Sequence, residues 1–281
     1  MSTNHPAVER GATSESTDYI SVARAEALAV ALDYDARPSA GHPLPELWHW
    51  TFFWPLTATG GLGPDGHPRK GAFLPDLGLP RRMWAGGRLR FHHSLEVGRA
   101  ASRNSTVTNV TDKSGRTGRL GFVTVKHQLS DDNGVAIEEE QDIVYREAYV
   151  PGTPEPSPTP APAGGAWQSE IVPTETLLFR YSALTFNSHR IHYDRDYATR
   201  EEGYSNLVVH GPLIATLLLD LVRRHMPNST IKRFTFKAVR PTLLGDVFMI
   251  CGEPDADGKT VELWAKDHRG WLTMRAQAEV E

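Results

Sequence analysis

Residues Leu213 to His225 are apolar on nearly every side of a helix, and a helix of that kind is stable only when other elements surround it. The C-terminal segments of the chain can do the surrounding. Phe234, Phe236 and Ala238 alternate with polar residues, as do Val261, Leu263 and Ala265, and then Leu272, Met274, Ala276, Ala278 and Val280. The runs Asp255-Ala-Asp-Gly258 and Asp267-His-Arg-Gly270 fit hairpin turns, since Asp and Gly tolerate a left-handed backbone. With Glu175 to Phe186 read as a further strand, the order predicts an antiparallel sheet wrapped around one central helix.

A length of 281 residues allows one large core or two smaller ones. The stretch 151–166, dominated by proline, glycine and small residues, has nothing to pack and reads as a semi-extended linker. It separates an expected N-terminal domain, 17–150, from a C-terminal one, 167–281. The first repeats the plan of the second loosely. Ser21 to Leu32 reads as a helix, and Leu89, Phe91, His93 and Leu95 alternate. Strands are predicted at about Ser105 to Thr111, Gly121 to Leu129 and Ile137 to Arg146, with turns at Asp112-Lys-Ser-Gly115 and Asp131-Asp-Asn-Gly134. Arg88-Leu-Arg-Phe91 stands where Lys232-Arg-Phe-Thr-Phe236 stands in the other half. The chain thus reads as two copies of one α+β unit side by side. The first copy has no counterpart to the buried helix; a segment rich in aromatics, glycine and proline, Trp48 to Pro80, takes its place.

Composition narrows the function. A net charge of −4 gives no whole-molecule attraction to nucleic acid, so anionic ligands must be met by local clusters such as Arg81-Arg82 or Lys232-Arg233 with Arg240. The single cysteine, Cys251, rules out an internal disulfide and a multi-cysteine zinc site, and in its apolar strand it reads as an inert buried thiol. The N-terminus lacks the apolar core of a secretory signal, and the longest apolar run, Leu207 to Val222, is broken by His210, Pro212 and Asp220. A cytoplasmic protein with no membrane partner is expected.

Chemistry concentrates in Phe186-Asn-Ser-His-Arg-Ile-His-Tyr-Asp194 and Val208-Val-His-Gly-Pro-Leu213. His192 can act as a general base near neutral pH. A loop histidine tied to backbone is the commoner occurrence, but the neighbouring motif favours a catalytic role. In His210-Gly211-Pro212, proline suits a first helical turn, so Gly211 sits at the start of the buried helix, where a free amide lies at the positive end of the dipole. Such an amide can hold an enolate oxygen; a glycine kept for close packing is the competing reading. His192-Tyr-Asp194 also has the local form of a ferrous facial triad, with His268 as a distant third ligand, but nothing else in the chain supports a metal.

On Asn187-x4-His192-x-Asp194 and Val209-His-Gly-Pro-Leu213, the C-terminal part resembles the MaoC-like, type 2 enoyl-CoA hydratase and hydroxyacyl-thioester dehydratase family of hot-dog proteins. Leu79-Pro-Arg-Arg-Met-Trp-Ala-Gly-Gly-Arg88 resembles its long, double-hot-dog branch, which includes mesaconyl-CoA hydratases acting on the C-4 thioester. The resemblance implies an α+β double hot-dog, two antiparallel sheets each wrapped on a helix and packed as a pseudo-dimer. It also implies an acyl-CoA substrate and no metal or redox cofactor, and a homodimer of double hot-dogs is the expected assembly. The family's catalytic aspartate and histidine, four residues apart, fall on Asn187 and His192, and its oxyanion donor on the amide of Gly211. An amide cannot transfer the second proton, so Asn187 is expected to orient water and His189 to supply the missing acid or base. Arg190, His210, Arg240, Arg81, Arg82 and Trp84 are the candidate substrate-binding residues, and the first copy, with its aromatics, is expected to shape the acyl pocket without catalysing. The expected reaction is addition or removal of water at the α,β bond of an acyl-CoA, with a short dicarboxylic or branched enoyl-CoA such as mesaconyl-CoA as substrate. A hot-dog thioesterase and a non-catalytic acyl-CoA-binding protein remain the alternatives.

Overall fold

The computed structural model describes residues 11–115, 118–153 and 156–281. Its first half runs β1 (Thr13–Tyr19), α1 (Val22–Ala31), β2 (Arg81–Phe91), β3 (Ala100–Gly115), β4 (Gly118–Asp131) and β5 (Gly134–Arg146). The second runs β6 (Trp167–Ile171), α2 (Glu175–Thr185), α3 (Gly211–His225), β7 (Ile231–Ala238), β8 (Phe248–Pro254), β9 (Thr260–Asp267) and β10 (Leu272–Val280). All ten strands join one antiparallel sheet in the order β1-β3-β4-β5-β2-β7-β10-β9-β8-β6. Outward from the centre the two sides read β2-β5-β4-β3-β1 and β7-β10-β9-β8-β6, which is one strand order used twice. The two five-stranded sheets meet at β2 and β7, with Leu89 opposite Phe234 and Gly87 opposite Phe236. Glycine is required at this seam: a Cβ on Gly86 would lie 2.5 Å from the carbonyl oxygen of Phe236.

The buried helix is α3. Every residue from Leu213 to Val222 is buried, and the helix packs against β8, β9 and β10. Proline stands in its first turn and Arg223, Arg224 and His225 in its last, in keeping with the geometry at one end and the dipole at the other. Leu213, Leu218, Leu219 and Leu221 are each at most 1% exposed. Each contributes roughly 1.5–3 kcal/mol by leaving water. In the first half, α1 packs against α2, and Trp48, Phe52 and Phe53 fill the core from the segment before β2. A polar knot lies in that core: Glu139 meets His49 at 3.2 Å and accepts from the Trp50 indole at 2.9 Å. Burial opposes the charge on Glu139, but the hydrogen bond and charge of His49 outweigh it and hold the carboxyl at about 2.

Two expectations are corrected. Glu175 to Phe186 is not a strand: it forms helix α2, because the Thr174 side chain accepts from the Leu177 amide at 3.1 Å and caps the first turn. Leu178, Tyr181 and Ser182 are its buried positions, a spacing of three and four that marks a helix face. Asp112 to Gly115 is not a turn but the end of β3, where Asp112, Lys113 and Ser114 pair with Gly121, Leu120 and Arg119; residues 116–117 lie outside the described residues. The hairpins at Asp131–Gly134 and Asp267–Gly270 stand as expected, and Cys251 is buried. Within the proline-rich stretch, Ala161 donates to Gly270 and Thr159 accepts from Leu272, which lays that segment on the β9–β10 hairpin. No helix among the described residues is long and apolar enough to cross a membrane.

Candidate active site

Helix α2 ends at Phe186 in the left-handed conformation, φ 50°, and the chain turns sharply into the loop that carries the histidines. Asn187 donates its backbone amide to Ser182 at 2.9 Å and accepts from the His189 amide through Oδ1 at 3.0 Å. Its side-chain oxygen is thus committed to shaping the loop. A single turn, Arg190 to His192, then delivers His192 to the interior, where it is 7% exposed.

His192 is held in one tautomer. Its Nδ1 lies 2.7 Å from the carbonyl oxygen of Val208, which can only accept, so Nδ1 carries the proton and Nε2 keeps the lone pair. The same segment is tied back by the Val208 amide donating to Ile191 at 2.9 Å. The ring stacks on His210 at 3.6 Å between centroids, and His210 in turn meets the Ser182 hydroxyl at 2.8 Å. His189 packs edge-on to His192 at 5.6 Å. Burial keeps all three rings uncharged, pulling His192 down to about 4 and His189 and His210 well below the usual histidine range. His210 is the N-cap of α3 and its side chain does not cap the helix, so the amide of Gly211 opens the first turn. A Cβ on Gly211 would meet nothing closer than Met274 Cε at 3.9 Å, so close packing does not explain this glycine.

The first half of the chain reaches this loop. Gly63 to His67 docks on Ser188 to Arg190: the Arg190 amide donates to the Asp65 carbonyl and the Arg190 guanidinium to the Pro64 carbonyl, each at 2.9 Å, and the Ser188 hydroxyl donates to the Gly66 carbonyl. Gly66 has φ 87°, and a Cβ there would lie 1.9 Å from the Ser188 carbonyl oxygen. The docking brings His67 against His189, 4.2 Å between ring centroids, with Asp65 Oδ2 at 3.3 Å from His67 Nδ1. Burial works against the Asp65 charge, but His67 and then Arg82 hold its carboxyl below the usual range; burial also lowers His67. Asp65 and His67 were missed in the sequence, where Pro64-Asp-Gly-His-Pro68 reads only as loop.

Of the candidates named from sequence, Asn187, His189, Arg190, His192, His210 and Gly211 come together here. Arg190 is engaged by Asp194 at 2.7 Å and lies over the Tyr197 ring. Arg81 and Arg82 line a pocket whose wall includes His189. Trp84 instead packs with Trp50 and Phe236 near the β2–β7 seam, and Arg240 lies just beyond β7 with its amide on the Thr273 carbonyl. His268 pairs with Asp246 at 3.5 Å, and Asp194 with Arg190.

A neutral imidazole with a free Nε2, beside the positive end of a buried helix, can take a proton while a carbonyl oxygen gains charge. The family model for hydroxyacyl-thioester dehydratase type 2 matches residues 47–244. A mesaconyl-C(4)-CoA hydratase of Chloroflexus aurantiacus is 46% identical over 274 residues, 96% of each chain. A mitochondrial hydroxyacyl-thioester dehydratase type 2 of Schizosaccharomyces pombe is 28% identical, over 73% of this chain and 76% of that one. A solved Mycobacterium tuberculosis structure described as a double hot-dog covers 98% of this chain and 97% of its own, at TM-score 0.56 and 15% identity, in agreement with the strand order used twice. The chain belongs to the hydroxyacyl-thioester dehydratase type 2 family, a double hot-dog hydro-lyase of acyl thioesters.

Proposed function

We propose that this protein adds water reversibly across the α,β double bond of a short dicarboxylic enoyl-CoA of the mesaconyl-C(4) type. The observation that carries the reading is His192, with Nδ1 committed to Val208 and Nε2 open, next to the Gly211 amide. Residues 17–150 supply the acyl pocket and the loop that carries His67, 151–166 link, and 167–281 carry the water-activating base and the oxyanion donor. The working form is a cytoplasmic homodimer.

In hydration, His192 Nε2 takes a proton from water as the oxygen bonds to Cβ. The π pair shifts toward the thioester, whose oxygen gains enolate charge against the Gly211 N–H. Asn187 keeps the loop in the shape that places the water, with its amide NH2 free to hold it. Cα then takes a proton. His67 is better suited to that second transfer than His189, because Asp65 stands behind His67 to orient it and support its cation, as a carboxylate does in a catalytic triad. In dehydration the same groups exchange roles: neutral His67, the form that burial favours, takes the α-proton, and protonated His192 releases hydroxide as water.

The test is to incubate chelator-treated protein with mesaconyl-C(4)-CoA and simpler enoyl-CoAs, following enoyl-thioester absorbance and free thiol together. Loss of absorbance without thiol is expected. Thiol release would make the protein a thioesterase, and binding without turnover an acyl-CoA carrier.

A further inference from the structure

A dicarboxylic monothioester brings a free carboxylate among buried side chains, and an anion so placed needs a cation with a donor to spare. The structure holds three arginines within reach of the histidines, in the pocket lined by Arg81, Arg82, Arg146, His189, Glu202 and Tyr204. They differ in what they already bind. The Arg81 guanidinium is spent on Glu202, pairing with its carboxylate and donating to its carbonyl at 3.0 Å. Arg146 is exposed, at the outer side. Arg82 is buried, with its side chain 6% exposed; Nη2 donates to the Pro68 carbonyl at 2.6 Å and Nε has no hydrogen-bond partner, although Asp65 lies 3.4 Å away. Asp65, the carboxylate paired with Arg82, is shared with His67. A buried guanidinium with an unused donor is costly unless a ligand completes it.

We infer that Arg82 binds the free carboxylate of the acyl group and thereby selects enoyl-CoA substrates that are dicarboxylic monothioesters. This rests on the hydratase reading above. The pocket abuts His189, and His189 abuts His192, so a carboxylate attached at Cβ would sit beside the carbon that receives water. Arg82 lies on β2 of the first half, and His192 and Gly211 on the second: the selecting cation and the base that activates water come from opposite sides of the seam. The phosphates of CoA are the competing ligand for any arginine here, but a side chain this deeply buried is reached by the acyl end rather than by a nucleotide head.

The experiment compares fumaryl-CoA with crotonyl-CoA, which differ by carboxylate against methyl on the same four-carbon enoyl chain, in kcat/KM on the wild type, Arg82→Gln and Arg82→Lys. The wild type should prefer fumaryl-CoA by about 100-fold or more, the discrimination that a buried charged hydrogen bond provides. Arg82→Gln should bring that ratio to within a few-fold of one, and Arg82→Lys should hold an intermediate ratio. A wild type indifferent to the carboxylate, or a ratio unchanged in Arg82→Gln, overturns the inference. So does an equal loss on both thioesters, which would place Arg82 on the CoA moiety or in the scaffold. Should Arg82→Gln fail to fold, the wild-type and Arg82→Lys ratios decide alone. Failure to hydrate either thioester would instead overturn the hydratase reading itself.

Discussion

The two halves of the sheet have the same strand order and opposite interiors. The second wraps a helix whose whole middle is apolar, and that helix presents a backbone amide to the site. Among the described residues the first has no such helix. Its core is filled by Trp48, Phe52 and Phe53 from an irregular segment, and it keeps a buried carboxylate, Glu139, tied to His49 and Trp50. The difference shows how a repeated unit divides labour. A packed helix fixes a backbone amide rigidly, whereas an irregular segment anchored in a core can reach across the seam, as Gly63 to His67 does to Ser188 to Arg190.

The largest effect should come from the second half. His192→Ala is expected to lower kcat by about 100-fold or more in a protein that still folds, as for loss of a general base; a folded variant with near-normal turnover would move the chemistry elsewhere. Next is the seam. Gly66→Ala forces a side chain into a left-handed backbone and onto the Ser188 carbonyl, so it should cost roughly 1–3 kcal/mol in denaturant titration and about 10-fold in kcat. Wild-type kcat in that variant would show that the docked loop is not part of the site.

Asn187 sharpens the comparison, since an aspartate there would make the second half self-sufficient. Asn187→Ala should reduce turnover less than His192→Ala does. Asn187→Asp should keep activity, because Oδ1 can still accept from the His189 amide, and add a titration to the acid side of the pH profile. Equal and severe losses at Asn187 and His192 would mean that the two act as one unit.

Smaller effects arise from charge. His192 titrates near 4 in the fold against about 6.5 for a free imidazole. Its folded value is depressed, so its contribution to stability is complete above about 6.5 and is lost as pH falls toward 4, while the base itself stays neutral over that span. Activity of the folded protein should therefore hold from neutrality to about pH 5 before its acid limb, as conformational stability declines across the same interval; an acid limb in kcat/KM at 6.5 would contradict the buried neutral ring. Smallest is Gly211→Ala: with only Met274 near, it should change stability by less than about 0.5 kcal/mol, in contrast to Gly66.

The legible parts of the fold were those with a sustained period. Strands β7, β9 and β10 and the helix at Leu213 to His225 follow from alternation and all-round apolarity. Glu175 to Phe186 misled because its aromatic and apolar residues suit either element, and the deciding signal, Thr174 as N-cap, lies one residue outside the run. Asp112-Lys-Ser-Gly115 carries turn residues, yet β3 and β4 continue pairing through them. His192, Asn187 and Gly211 could be read because motif and helix start lie close in sequence. Asp65 and His67 could not, since their meaning depends on a docking more than 100 residues away in the chain; Asp-Gly-His between two prolines was the available hint.

Whether the first half takes part in the chemistry is tested most directly by kcat for His67→Gln, a substitution that keeps size and polarity but removes the titrating ring. A fall of roughly 10- to 100-fold in kcat is expected, with KM changed by no more than a few-fold and the melting curve intact. A kcat within two-fold of the wild type, in a folded protein, would contradict it and return the second proton to His189 or to water.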